Sequence, residues 1–366
     1  MDILQLSLFS DEKLGFRDPL TVDVHKKIEY TKKLKVVSLF SGCGGMDLGF
    51  RGNFDILGKH YDENPIDIVF ANDIMPRACK TYEHIFKHKP ICDDIKSIPT
   101  EDIPKVDIVI GGFPCQDFSH AGKRKGLNSE RGQLYLEMKR VIEHCNPLAF
   151  VAENVDGIRT STNGTSVSAL DTILKDFENS GYNIKYKALN TADYGVPQTR
   201  IRIIIIGIRK DIDFPILFPK AVYGNSTGRP WITVREAIDD LWDKLDSNFI
   251  ANHSHKDYSR AKFYPNRKMQ GNRKLDEDKP SITIRSEHHG NIEGHYRSTN
   301  MDNPEDMSFW RRLSVRECAR IQTFPDDFEF PCAASDAYKQ IGNAVPPVFA
   351  WHIARALFLS LKNKQD

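Results

Sequence analysis

The 366-residue chain is 40% hydrophobic and 28% charged, an ordinary globular balance, and it is long enough for a sizeable core and two domains. Its net charge of +1 excludes a global attraction to nucleic acid, so any such binding must come from local patches. Seven cysteines with no CxxC pair argue against a disulfide framework and a cysteine zinc site, and no metal is expected. No apolar run approaches membrane-spanning length, and "MDILQLSLFSDEK" lacks the basic start and apolar stretch of a signal peptide, which points to a cytoplasmic protein with no membrane partner.

Residues 1–34 read as a polar N-terminal extension. Through residues 35–210 apolar β-branched runs alternate with helical stretches. "LKVVSLF", "IDIVFAN", "VDIVIGG" and "LAFVAENV" read as strands buried on both faces, with "PRACKTYEHIF" and "QLYLEMKRVIEHC" as helices between them. "YNIKYKAL" and "RIRIIIIGIRK" read as two adjacent strands. Residues 211–306 hold short, weakly periodic segments rich in Asn, Arg and His after one helix, "TVREAIDDLWDKL", and read as a smaller inserted domain. From residue 307 helical periodicity returns with "FWRRLSVRECARIQTF", and "PPVFAWHIARALFLSLK" predicts a closing amphipathic helix with Pro at its start. The alternation predicts an α/β fold, a Rossmann-like, doubly wound, mostly parallel sheet.

In such sheets ligands bind beyond the carboxyl ends of the strands. Three ends carry suggestive chemistry. The first runs into "SLFSGCGGMDLGF", where Gly42, Gly44 and Gly45 allow a tight turn and close approach to a ligand. The second places Asp73 at its tip, where a carboxylate can accept from ribose hydroxyls. The turn departs from the GxGxxG spacing, so S-adenosylmethionine, with a ribose but no pyrophosphate, fits better than a nicotinamide cofactor. The third ends in "GGFPCQDFSHAG", where Cys115 is core filler, metal ligand or nucleophile, and the next strand brings Glu153, a functional acid or a helix-capping or surface one. In "PQTRIRIIII", Gln198, Arg200 and Arg202 are spaced by two and share one strand face. Two arginines beside a buried run need acids or an anionic ligand, and a structural ion pair is the bland alternative.

From about Lys35 to about Lys362 the chain resembles the C5-cytosine DNA methyltransferase family. The matching blocks are "SLFSGCGGMDLGF", "GGFPCQDFSHAG", "AENV", "QTRIRIIIIG", "RRLSVRECARIQTFP" and "QIGNAVPP", in the family's order. The resemblance implies a class I methyltransferase domain at 35–210, a target-recognition domain at 211–306, and a return to the catalytic domain at 307–366. It implies methyl transfer from S-adenosylmethionine to C5 of a cytosine flipped out of a specific duplex DNA sequence. Cys115 would be the nucleophile that adds to C6. Glu153 would bond N3 and the exocyclic amine, and Arg202 would steady charge at O2. Phe40, the glycine turn and Asp73 would hold the cofactor, Asp94 and Pro114 would border its adenine, and Asn343 would complete the pocket. "DDI" stands where the family often has Gly-Asp-Ile, which leaves the role of Asp94 less defined.

Further DNA contacts follow from the same resemblance. Gln116, Ser119, Lys123, Arg124, Lys125 and Arg131 belong to a loop that would close over the distorted strand. Gln198 and Arg200 would order the site and nearby phosphates. "SRAKFYPNRKMQGNRK" offers a phosphate footprint, and "RSEHHGNIEGHYR", with Arg285, His288, His289, Asn291 and Arg297, carries types able to read base edges. Two other readings stand beside this one: an RNA cytosine methyltransferase of the same fold, and a catalytically silent DNA-binding regulator. A cognate restriction endonuclease is a functional partner the family implies. Separately, Gln5, Leu6, Ser7, Leu8 and Phe9 resemble the short peptide by which bacterial proteins dock on the sliding clamp, although these apolar residues can equally pack on the catalytic domain.

Overall fold

Strands too apolar for water on either face must lie side by side and be covered twice. That is the arrangement in the computed structural model, which describes residues 20–26, 32–114, 134–162, 167–247, 249–257, 272–286, 294–298, 300 and 302–361. The central strands are β1 (Leu34–Leu39), β2 (Ile66–Asp73), β3 (Ile91–Cys92), β4 (Ile108–Gly112), β5 (Ala149–Val155), β6 (Tyr182–Asn190) and β7 (Ile201–Arg209). They form one sheet in the order β3-β2-β1-β4-β5-β7-β6. The first five run parallel, and β7 lies antiparallel between β5 and β6. The expected doubly wound α/β fold is therefore present.

The isoleucine run of β7 shows how the two layers form. Ile204 and Ile206 join Val36, Ile108 and Val151 in one apolar core, whereas Ile203 and Ile205 join Val37, Val109 and Ala152 in the other. The first core is closed by α1 (Gly45–Arg51) and the C-terminal helix Pro347–Leu361. The second is closed by α3 (Leu134–Cys145) and α4 (Ala169–Asn179), while α2 (Pro76–Phe86) packs beside β2.

Several expectations need correction. The C-terminal helix is buried nearly all round rather than amphipathic, because α1, the strand Leu217–Pro219 and residues 20–26 enclose it. The span Ala334–Leu361, divided into two helices at residues 344–346, is by length and composition apolar enough to cross a membrane, and 89% of its most apolar window is buried in the protein. Part of the N-terminal extension is structural. Leu20–Val22 pairs in parallel with Leu217–Pro219, and Arg355 donates to the carbonyls of Val24 and Lys26. The helix expected from Thr233 covers only Val234–Ile238 (α5) and tightens into a 3-10 turn at Asp239–Leu241. Just beyond, the guanidinium groups of Arg297 and Arg311 lie over the Trp242 ring, 4.6 and 3.9 Å from its centroid. Trp310–Arg312 is a strand rather than helix, and joins Asn272–Lys274 and Gly294–Ser298 in a small sheet. The helix α6 (Val315–Ile321) begins only where Ser314 and Glu317 form a capping box.

Asp47, in the first turn of α1, is wholly buried and accepts from Ser38 Oγ at 3.0 Å and Tyr82 Oη at 2.9 Å. Burial pushes its carboxyl up to about 6, against the pull of these donors. The folded protein thus holds this proton more tightly than the unfolded chain, whose aspartates titrate near about 4. The stability it contributes is complete below that value and is lost as pH rises through about 6. Asp47→Asn, always neutral, has no such loss. In denaturant titrations the wild type should lose up to about 3 kcal/mol relative to Asp47→Asn between about pH 4 and about pH 7; a difference that stays constant with pH contradicts this.

Candidate active site at the carboxyl edge of the sheet

Beyond β1 the chain turns through Phe40, Gly42 and Gly44, all with positive φ (53°, 57° and 91°). For Phe40 this conformation costs on the order of 1 kcal/mol, so surrounding contacts must hold it. Asp73, at the end of β2, supplies one. Its Oδ2 accepts from Gly42 N–H and its Oδ1 from Met75 N–H, both at 2.8 Å. Burial raises the Asp73 carboxyl above its ordinary range, and the two N–H groups oppose the rise. Each oxygen keeps a second lone-pair direction, so the acid can both brace the turn and accept from a diol.

The three glycines have separate tasks. Only Gly42 has open space where a Cβ would stand. At Gly44 a Cβ would overlap the Phe86 ring at 2.2 Å, and at Gly45 the Val345 carbonyl at 2.5 Å, so these two serve packing rather than ligand approach. The packing at Gly45 draws the segment after helix α7 (Ala334–Asn343) onto the turn and leaves Asn343 exposed beside it. Two residues the sequence reading overlooked lie next to Asp73. Ile74 is 62% exposed and Ile91, paired with Asn72 across the sheet edge, is 39% exposed, an apolar surface suited to a flat ring. Asp94 caps a short 3-10 helix by accepting from Lys96 N–H at 3.0 Å. Together these residues fit a nucleoside-bearing ligand.

Glu153 and Gly112 are register partners on β5 and β4. A Cβ at Gly112 would stand 3.0 Å from Glu153 Oε2, so the carboxyl lies directly over a residue that has no side chain. Asn154, also unassigned from sequence, is buried and donates to Phe113 O at 3.2 Å, which pins the backbone just before Pro114. Pro114, two residues beyond β4, is the last residue described before the loop. Cys115, Gln116, Ser119, Lys123, Arg124, Lys125 and Arg131 lie outside the described residues, as do Gln5 to Phe9, His288, His289 and Asn291.

Because β7 runs against β5, its first residues arrive where the parallel strands end. Arg202 Nε lies 2.8 Å from Glu153 Oε1, and each side chain is only 11% exposed. The strand begins at Ile201, later than the residue spacing suggested, and Gln198 and Arg200 are both interior. Arg200 donates to the carbonyls of Ile284, Gly342 and Ala344. Burial, then the nearby Arg202 charge, push its guanidinium well below the ordinary range, and Glu153 offsets part of this. Neither Gln198 nor Arg200 presents its side chain to solvent, and both spend their side-chain hydrogen bonds on interior groups. Arg285 is exposed, as a contact would require. Arg297, expected to help read bases, is instead buried and paired with Asp239 and Glu277.

Residues 34–359 match the family model described as C-5 cytosine-specific DNA methylase. The chain belongs to that family. The methyltransferase is 33% identical to the type II methyltransferase M.BsuRI of Bacillus subtilis over 96% of this chain and 86% of the relative. It is 35% identical to the type II methyltransferase M.FnuDI of Fusobacterium nucleatum over 91% and 96%. In fold it is similar to the S. pombe Dnmt2 methyltransferase (TM-score 0.67, 20% identity, 91% of this chain and 100% of that one) and to the Entamoeba histolytica methyltransferase EhMeth (TM-score 0.64, 18% identity, 90% and 99%).

Gly112→Ala provides a test of the geometry. The added methyl should push the Glu153 carboxyl aside and lower kcat for methyl transfer to DNA by about 10- to 100-fold, with little change in Tm. Wild-type kcat in a folded Gly112→Ala variant contradicts the tight seat assigned to Glu153.

Proposed function

We propose that this DNA (cytosine-5-)-methyltransferase is a type II modification enzyme. It methylates C5 of a cytosine extruded from a specific duplex sequence, through a covalent bond from Cys115 Sγ to C6. S-adenosylmethionine supplies the electrophilic methyl group on a sulfonium. The observation that carries the reading is the buried Arg202–Glu153 pair beside Gly112, three residues ahead of Cys115.

Cytosine C5 is too weakly nucleophilic to take a methyl group unaided. Thiolate attack by Cys115 would form the S–C6 bond and shift the C5–C6 π pair to C5, which would take the methyl carbon as its bond to the sulfonium sulfur breaks, leaving a neutral thioether. Loss of the C5 proton restores the double bond and expels the thiolate. Glu153 bonds N3 and the exocyclic amine, which eases addition at C6. Arg202 both orients Glu153 and faces charge that develops at O2. Asp73 accepts from the ribose hydroxyls, Ile74 and Ile91 flank the adenine with Asp94 and Pro114, and Phe40 and Asn343 complete the pocket. Extruding the base costs a few kcal/mol, which the loop after Cys115 and the recognition region together offset. The type II relatives support a cognate restriction endonuclease as the functional partner.

Duplex DNA containing 5-fluorocytosine at the methylated position blocks the final proton loss. Wild type with S-adenosylmethionine should form an adduct that survives denaturing electrophoresis, and Cys115→Ser should form none. Absence of a wild-type adduct on DNA, with methyl transfer to tRNA instead, would turn the reading to RNA; absence of transfer to either would favour a silent regulator.

A further inference from the structure

Gln198 and Arg200 close on the recognition region rather than on solvent. Ile284 N–H donates to Gln198 Oε1 at 2.8 Å, and Ile284 O accepts from Arg200 Nη1 at 2.9 Å. Both backbone polar groups of one residue are thus captured by side chains of the segment that leads into β7. Backbone and hydroxyl bonds flank them: Ser281 N–H to Pro197 O at 2.9 Å, Thr199 N–H to Ser281 O at 2.8 Å, and Thr283 Oγ1 to Thr199 O at 2.9 Å.

The same two side chains reach a third segment. Gln198 Nε2 donates to Gln322 Oε1, whose own Nε2 donates to Ile341 O at 2.7 Å and Ala344 O at 3.1 Å. Arg200 Nη2 donates to Gly342 O at 2.9 Å and Ala344 O at 3.3 Å. At Gly342 a Cβ would lie 2.2 Å from the Arg285 carbonyl carbon, so the backbone of residues 285–286 rests directly on the end of α7.

We propose that Gln198, Arg200 and Gln322 are positioning residues for target recognition. They lock the register of residues 281–286 against the catalytic strand, so that readout by the 211–306 region is referred to Arg202. This rests on the reading of that region as the one that selects the target. Gln198, Arg200, Gln322 and Ile284 are all buried. A slip of one residue would strand Gln198 Oε1 and Arg200 Nη1, both on buried side chains, without these partners. It would also turn exposed Arg285 away from its present side. The segment therefore has one seat, and Arg285 is presented at a fixed offset from the Arg202–Glu153 pair.

The test uses the full chain expressed in cells that lack cytosine methylation, as wild type, Gln198→Met, Arg200→Lys and Gln322→Met. Bisulfite sequencing of genomic DNA gives methylation at the cognate sequence and at sequences one base pair removed. The cognate to near-cognate ratio should fall at least tenfold in the variants, a loss of discrimination that a general loss of activity, lowering both classes of site alike, does not produce. Should a buried substitution fail to fold, Thr283→Val removes only the half-buried donor to Thr199 and should lower the ratio at least threefold. Folded variants that keep the wild-type ratio, whatever their Tm, overturn the proposal. A wild type that methylates no cytosine defeats the functional reading itself, and the recognition role with it.

Discussion

A buried arginine facing a buried glutamate is the constraint on which the rest of the site depends. Desolvating either charge alone is expensive, and removing one partner of such a pair typically costs about 3–5 kcal/mol. Glu153 ends a parallel strand, so its partner must arrive at the carboxyl edge from a strand that begins there. The antiparallel insertion of β7 between β5 and β6 meets that requirement, with Arg202 at its second position. Gly112 leaves room for the carboxyl, and Asn154 fixes the next turn of chain. Sheet topology, a missing side chain and one amide together define the edge at which β4 ends.

The same strand entry ties chemistry to recognition. The residues just before Arg202 spend their hydrogen bonds on Ile284, Gln322 and the chain after α7, and that last segment packs on the glycine turn through Val345. The glycine turn, the Arg202–Glu153 pair and residues 281–286 therefore share one polar junction instead of meeting through a flexible linker. Arginine suits it because its planar fork can serve three carbonyls in fixed directions, which a lysine cannot.

Much of the fold was legible because its signals are local. Six of the seven sheet strands were read from local sequence, and so was the helix "PRACKTYEHIF" that became α2. The turn chemistry at Gly42 and the acid at Asp73 followed from strand-end logic, but the division of labour among Gly42, Gly44 and Gly45 depends on Phe86 and Val345, which no spacing reveals. Gln198 and Arg200 were legible as unusual, but their interior partners were not, since these lie 84 to 144 residues away in sequence. The C-terminal helix, expected to be amphipathic, carries the polar residues His352 and Arg355. Both are buried and bonded to backbone carbonyls, so polarity there did not mark a solvent face. Asn154 did leave a trace, as a polar residue at the end of an otherwise apolar strand.

The central claim is that Glu153 and Arg202 act as one unit. A double-mutant cycle of Glu153→Gln and Arg202→Met, read as kcat for methyl transfer to duplex DNA at saturating S-adenosylmethionine, measures it directly. Each single variant should fall by about 100-fold or more, and the double variant should lie within about tenfold of the worse single, a coupling of at least about 1.4 kcal/mol. Losses that simply multiply would show that the two residues contribute independently, and would contradict the account.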